Sequence, residues 1–158
     1  MRLSSRHETG EDASSVAWAL SLFGFVPFAG LAVVLAIGGR EGVWGALALD
    51  AIATYGAVIL SFMGGVRWGA ALVDRSDRNR RGDIVFSVLP SLIGWAALFM
   101  PAPVGLGVLC VAFAGQGAWD AFSAEGTDAR LPRWFGSLRV TLTFLVVIAL
   151  IVALVGIS

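Results

Sequence analysis

The segment Val43–Val73 constrains the fold of this chain more than any other. It is an almost unbroken apolar run that nevertheless carries polar or amphipathic side chains within it or at its edge, among them Asp50, Tyr55, Ser61, Arg67 and Trp68. A helix of this length measures ~46 Å, which exceeds the ~30 Å hydrocarbon core of a bilayer. The segment is therefore predicted to be a tilted membrane-spanning helix, or one whose first turn lies in the interface.

The composition agrees with a membrane protein. Hydrophobic residues make up 58% of the 158 residues and charged residues only 14%, whereas about a quarter of a soluble domain is charged. This surplus of apolar surface predicts an integral membrane protein in contact with the lipid bilayer. The formal net charge is zero, so no basic field indicates a nucleic-acid partner.

Further apolar runs predict an all-α, integral membrane bundle of five transmembrane helices. The predicted spans are residues 16–37, 43–73, 84–100, 104–122 and 138–157. Residues 1–15 are polar and mixed in charge, and we expect them to form a mobile tail. Residues 16–158 then form a single transmembrane helical domain.

The arginines predict the orientation of these helices. Five crossings place nine of the eleven arginines on the side of the N-terminus, with only Arg40 on the other side and Arg67 within a helix. The nine are Arg2, Arg6, Arg75, Arg78, Arg80, Arg81, Arg130, Arg133 and Arg139. Basic residues in short loops stay on the cytoplasmic side. The N-terminus is therefore predicted inside and the C-terminus outside.

Small side chains recur at every fourth residue of the second predicted helix. They form a candidate helix-packing face: Ala53, Ala57, Ser61, Gly65 and Gly69. Small residues allow helix backbones to approach closely in lipid. The pattern leaves two uses open, namely packing against other helices of the same chain and packing against a second copy in a homo-oligomer.

Two charges are expected at a similar depth in the membrane. Arg67 lies ~9 Å from the inner end of its helix, and Asp120 lies near the inner end of the fourth helix. Charges at such depth are costly unless they pair or snorkel. We predict that they form an intramembrane ion pair flanked by Trp68 and Trp119. The alternative is that Arg67 reaches lipid phosphate and Asp120 is hydrated. Asp50 is ~25 Å from Arg67 along the helix and is expected at the opposite surface.

Other residues give little indication of chemistry. Tyr55, Ser91 and Gln116 are candidate intramembrane polar groups. Tyr55 and Gln116 are expected to hydrogen-bond to a neighbouring helix, with lining of a substrate path as the alternative, and Ser91 to satisfy the carbonyl that Pro90 leaves free. His7 is the only histidine and Cys110 the only cysteine. Neither has the partners of a catalytic or metal site nearby in sequence. We therefore predict no catalytic residues, no metal ligands and no cofactor.

An interfacial elbow is predicted before the last helix. It consists of aromatic and basic residues in the order Leu131-Pro132-Arg133-Trp134-Phe135, followed by Leu138-Arg139. Aromatic rings settle at headgroup level, and the arginines are expected to reach anionic lipid.

Four segments of the chain share a resemblance. They are Tyr55–Gly69, Val88–Trp95, Leu131–Phe135 with Leu138-Arg139 and Leu142-Thr143, and Gly24–Phe28. Together they resemble the transmembrane protein 69-like family, whose bacterial members are described as a domain of unknown function (DUF3429). The resemblance implies a small multi-helix protein of the bacterial inner membrane, with mitochondrial relatives in eukaryotes. It implies no catalytic or ligand-binding residue.

These observations favour one function over two others. We expect a multi-pass inner-membrane protein that is not an enzyme and acts as a structural or assembly factor contacting membrane proteins or lipid. The alternative is a small oligomeric transporter or channel in which Arg67 faces an anionic solute. An intramembrane enzyme has the least support, because no nucleophile–base pair is recognisable.

Overall fold

The computed structural model describes residues 4–73, 80–124 and 133–158, and these ranges form five helices. The helices are α1 (Ser4–Gly38), α2 (Gly42–Val73), α3 (Arg80–Ala97), α4 (Ala102–Ala124) and α5 (Arg133–Gly156). No strand occurs in the described ranges, so the all-α prediction is confirmed there. Some predicted features lie outside the described residues: Arg2, the arginine-bearing segment 74–79, Arg130, and the start of the elbow at Leu131-Pro132.

The helix bounds differ from the predicted ones mainly at the N-terminal ends. Helix α1 begins at Ser4, inside the predicted tail, and α3 and α5 begin at Arg80 and Arg133 rather than at residues 84 and 138. Hydropathy marks where an apolar run begins, whereas polar residues without a helix breaker continue the helix into water. Helix α3 ends earlier than predicted, because the amides of residues 98–100 bond to carbonyls three residues back, before Pro101.

Among the described residues, four helices contain stretches long and apolar enough to cross a membrane. The stretches are Ser14–Gly38, Gly42–Val73, Ala102–Ser123 and Trp134–Gly156. Helix α3 differs from them because it has only 18 residues and begins with the charged turn Arg80-Arg81-Gly82-Asp83.

Contacts between helices show in which direction each helix runs. Gly56 of α2 packs against Leu109 and Phe113 of α4, and eleven residues further along each helix Arg67 meets Asp120. Helices α2 and α4 therefore run in the same direction, and α3 connects the end of one to the start of the other.

Helices α1 and α5 run opposite to α2 and α4. Asp120, near the end of α4, meets Arg139, near the start of α5. At the far end of the bundle Gly156 of α5 packs on the backbone of Leu35 in α1. We call the end that holds Asp120 and the beginning of α5 the cluster end.

Helices α2 and α3 approach each other closely. A Cβ atom on Gly64 would overlap the carbonyl oxygen of Ser87, and the ring of Pro90 lies 3.4 Å from the same position. One to two turns away, a Cβ atom on Gly94 would lie 3.1 Å from the Cα of Ala57. Because lipid offers no hydrophobic drive for helix association, such close backbone packing is what joins helices in a membrane.

Aromatic rings join three helices at the middle of the bundle. Phe28 of α1 lies 5.0 Å from the ring of Tyr55 and 5.9 Å from that of Phe113. The Tyr55 hydroxyl donates a 2.8 Å hydrogen bond to the carbonyl of Gly24. These contacts close the middle of the bundle. The buried charged residues lie at the cluster end.

A buried polar cluster beside an apolar cavity

Asp120 is the centre of a polar cluster at the cluster end of the bundle. Only 1% of the residue is exposed. Its Oδ1 accepts hydrogen bonds from Arg67 Nη1 at 2.8 Å and from Gln116 Nε2 at 3.2 Å. Arg67 and Asp120, which the sequence led us to pair, therefore lie in contact in the structure. Gln116 joins them because it lies one turn before Asp120 on the same helix face.

The guanidinium of Arg67 makes two hydrogen bonds and stacks over one aromatic ring. Besides Asp120, it donates from Nη2 to Ser123 Oγ at 2.9 Å, and its Cζ lies 3.9 Å above the centre of the Trp119 ring. Trp119 therefore flanks the pair as expected. Trp68 does not, because it is 42% exposed and follows Arg67 by ~100° around the helix.

A second arginine shares the same carboxylate. Arg139 Nε lies 3.4 Å from Asp120 Oδ2, with 9% of the arginine side chain exposed. Its Cζ lies 4.7 Å from the centre of the Phe135 ring. The sequence analysis placed Arg139 in an interfacial elbow and did not predict that its side chain is buried against Asp120. Because α5 begins at Arg133, Arg139 lies well inside the helix and faces Asp120.

The cluster carries an excess of positive charge. Two guanidinium groups face one carboxylate, so the formal charges of Arg67, Arg139 and Asp120 sum to one positive charge. Three buried atoms have no hydrogen-bond partner among the described residues: Asp120 Oδ2, Arg139 Nε and Thr143 Oγ1. Buried polar atoms are usually paired, and each unpaired one costs about 1–3 kcal/mol.

An apolar cavity of about 410 Å³ adjoins the cluster. It lies between α1, α2, α4 and α5, and it is lined largely by aliphatic and aromatic side chains, among them Leu20, Phe28, Phe62, Phe113 and Val146. Arg139 and Thr143 also line it. The cavity therefore joins apolar walls to the side of the cluster that carries the unpartnered atoms.

The small residues of α2 do not form one face. Ala57 is buried and Ala53 packs against the core, but Gly65 and Gly69 have no atom within 4 Å of the position that an added methyl group would take. Each step of four residues turns the helix by ~40° beyond a full turn, so Ala53 and Gly69 differ by ~160°. Ser61 bonds to the carbonyl of Ala57 in its own helix. Contact of Gly65 and Gly69 with a second copy stays a prediction.

The other predicted polar residues lie apart from one another. Tyr55 bonds to Gly24 across α1 and α2, and Gln116 belongs to the cluster. Ser91 is half-buried on α3 and takes no part in the hydrogen bonds of the cluster. Asp50 is exposed and stands 17 residues before Arg67, toward the opposite end of α2.

Sequence reasoning missed three residues of the site: Ser123, Arg139 and Thr143. Their spacing carried a usable signal, because Ser123 follows Asp120 by one turn and Thr143 follows Arg139 by four residues. Such spacing places each pair on one helix face. It could not show that the two faces meet.

The fold and the cluster define a class of protein: a helical membrane protein whose polar residues pair with one another across helices. The particular family follows from comparison with known proteins. Residues 13–155 match the family described as "Protein of unknown function (DUF3429)", so this chain belongs to that family.

Curated relatives that match the chain include two proteins named transmembrane protein 69. Transmembrane protein 69 of Xenopus tropicalis is 32% identical over 150 residues, which cover 94% of this chain and 57% of the relative. Transmembrane protein 69 of Mus musculus is 27% identical over 146 residues, which cover 91% of this chain and 57% of the relative. The chain thus spans little more than half the length of these relatives. No solved structure matches it.

Proposed function

We propose that this protein is a non-catalytic structural or assembly factor of the bacterial inner membrane that contacts other membrane proteins or lipid. The proposal rests on the buried charges, which pair with one another across helices. Arg67 of α2 and Arg139 of α5 both turn to Asp120 of α4, so each charge joins one helix to another. Such a cluster holds a bundle together.

The outer surface of the bundle supports the same proposal. Only 17–33% of the residues in the most apolar stretch of each of the four spans are buried inside the protein. The other residues are half-buried or exposed, and lipid or the helices of another membrane protein would cover their outer side. A surface of this kind is available for contact along the whole height of the bundle.

The geometry of Arg67 counts against a transporter that uses this residue. Asp120, Ser123 and the Trp119 ring already take up its guanidinium, so a solute would have to displace them. Chloride serves as a probe anion for this alternative. The proposal expects liposomes containing the protein to pass chloride no faster than protein-free liposomes, and a flux that Arg67→Ala abolishes in a folded protein would overturn it.

The proposal includes a fifth crossing by α3. The parallel course of α2 and α4 requires the chain between them to return over the height of the bundle. The apolar part of α3, residues 84–97, supplies a stretch for this that is ~21 Å long. The excess of arginines at one end supports an interior N-terminus.

Cysteine labelling tests the fifth crossing. We expect Gly82→Cys and Pro103→Cys, each in a Cys110→Ala background, to react with a membrane-impermeant maleimide from opposite sides. The reason is that Gly82 lies in the first turn of α3, whereas Pro103 lies in the first turn of α4, beyond the other end of α3. Gly82→Cys should react only after the inner face is exposed, as in inverted vesicles. Labelling of both positions from one side would contradict the crossing.

Purification in mild detergent tests the assembly role. We expect the full-length protein to co-elute with a specific membrane protein or lipid, identified by mass spectrometry and absent from an unrelated helical membrane protein purified in the same way. The physical reason is the large outward apolar surface described above. Elution of the chain alone, without specific protein or lipid, would contradict the proposal.

A further inference from the structure

The apolar cavity has the length of a lipid chain in one leaflet. Its lining follows α5 from Trp134 to Val146 and α1 from Ala17 to Phe28. The α5 portion measures ~18 Å along the helix axis. One leaflet contributes half of the ~30 Å hydrocarbon core, or ~15 Å. The cavity therefore extends from the cluster end of the bundle to about the middle of the membrane.

The cavity is open to the lipid-facing surface. Leu20 of α1 and Phe62 of α2 both line it and are 66% and 65% exposed. The opening therefore lies between α1 and α2, on the side of the bundle that faces the bilayer. An acyl chain can enter there sideways, without crossing the headgroup layer.

The charged group in the cavity lining lies near the cluster end of the cavity. Arg139 is the charged residue among those that line it. Side chains on a helix lean toward its N-terminus, and the guanidinium of Arg139 lies over Phe135, one turn closer to the start of α5. The positive charge is thus at the end of the cavity where a lipid headgroup would lie.

Arg139 is incompletely paired. Its Nε makes no hydrogen bond to any residue that the structure describes, although it faces Asp120 Oδ2 at 3.4 Å. Asp120 in turn already accepts two hydrogen bonds on Oδ1. A guanidinium has five N–H donors and matches the oxygens of a phosphate in a two-point contact. The excess positive charge calls for an anion at this position.

We propose that the cavity holds one acyl chain of an anionic glycerophospholipid whose phosphodiester binds the guanidinium of Arg139. The apolar walls take up the chain, and the unpaired positive charge of the cluster selects a lipid with net negative charge. This inference rests on the proposed function in that it specifies the lipid which the protein contacts. It requires no partner protein.

Native mass spectrometry of the purified full chain tests this binding with two probe lipids, phosphatidylglycerol and phosphatidylcholine. We expect phosphatidylglycerol to bind the wild type about tenfold more tightly, because both lipids carry a phosphodiester but only phosphatidylcholine adds a choline cation beside the positively charged cluster. Arg139→Gln should remove this preference. Arg81→Gln is the matched control, because it removes the same charge from an exposed position on α3, and it should keep the preference.

A second variant separates lipid binding from folding. Ser21→Phe fills the cavity and leaves the charged cluster untouched, so it should fold as the wild type and bind neither lipid there. If Arg139→Gln fails to fold, the lipid binding of Ser21→Phe tests the proposal instead.

Three results would overturn the proposal. They are equal affinity of the wild type for the two lipids, unchanged binding by Ser21→Phe, and preference for free oleate over phosphatidylglycerol. The assay uses the purified chain, so its failure leaves the co-elution of a partner protein unaffected, and a missing partner leaves the lipid result unaffected.

Discussion

Asp120→Ala is expected to lower the free energy of unfolding by about 3–5 kcal/mol, the loss typical of a buried ion pair that keeps only one partner. The carboxylate is almost fully buried and faces Arg67 and Arg139 on two other helices. Its removal leaves two guanidinium groups near one another without a counter-charge. Gln116 and Arg67 also lose a hydrogen-bond acceptor.

Reversible unfolding in mixed detergent micelles measures this loss, with helix content followed by circular dichroism. Asp50→Ala is the matched control, because it removes the same side chain from an exposed position of α2. Exposed substitutions usually change stability by less than about 0.5 kcal/mol. Equal losses from Asp120→Ala and Asp50→Ala would show that the cluster contributes nothing to the fold.

Gly64→Ala is expected to cost about 1–3 kcal/mol, although it adds only one methyl group. The methyl carbon would overlap the carbonyl oxygen of Ser87 and lie against the ring of Pro90. The carbonyl belongs to the backbone and the proline ring is bonded to it, so neither can turn aside and α2 and α3 must move apart. The same unfolding measurement detects the loss.

The neighbouring glycine is the control for this substitution. Gly65 has open space around the added methyl position, and alanine is the better helix former by about 1 kcal/mol. Gly65→Ala should therefore leave stability unchanged or raise it. A larger loss from Gly65→Ala than from Gly64→Ala would contradict the α2–α3 packing and would indicate that a second copy covers the Gly65 surface.

Much of the helical architecture could be predicted from the sequence because membrane insertion depends on quantities that the sequence contains. The length of an apolar run predicts a membrane-spanning helix. The contact between Arg67 and Asp120 was also predictable, since two charges that are costly at the same depth gain most by meeting. These inferences need only positions along the helix axes.

What could not be predicted depends on how the helices are rotated against one another. Arg139 counts as a headgroup residue if α5 begins at residue 138, and as a buried one if it begins at Arg133. The face of small residues was misjudged because a four-residue repeat drifts around the helix, whereas Ala57 and Gly64, seven residues apart, stay within ~20° of each other. The cavity involves four helices, and no pattern within one helix reveals it.

The two ends of the bundle are held together by different means. At the end away from the cluster, Gly156 allows the backbones of α1 and α5 to touch. At the cluster end a cavity separates α1 from α2, and charges hold α2, α4 and α5 together. Close packing resists opening more than a cavity does. The cluster end is therefore where a lipid or a partner can be accommodated with the least disturbance of the fold.

The most direct test of the central claim, that the buried charges hold the helices together, is the coupling free energy between Arg67 and Asp120. A double-mutant cycle with Arg67→Leu and Asp120→Leu measures it by unfolding in micelles. We expect the double variant to be more stable than the sum of the two single losses implies, by about 1–3 kcal/mol. Losses that add to within about 0.5 kcal/mol would contradict the claim, because residues that do not interact behave in that way.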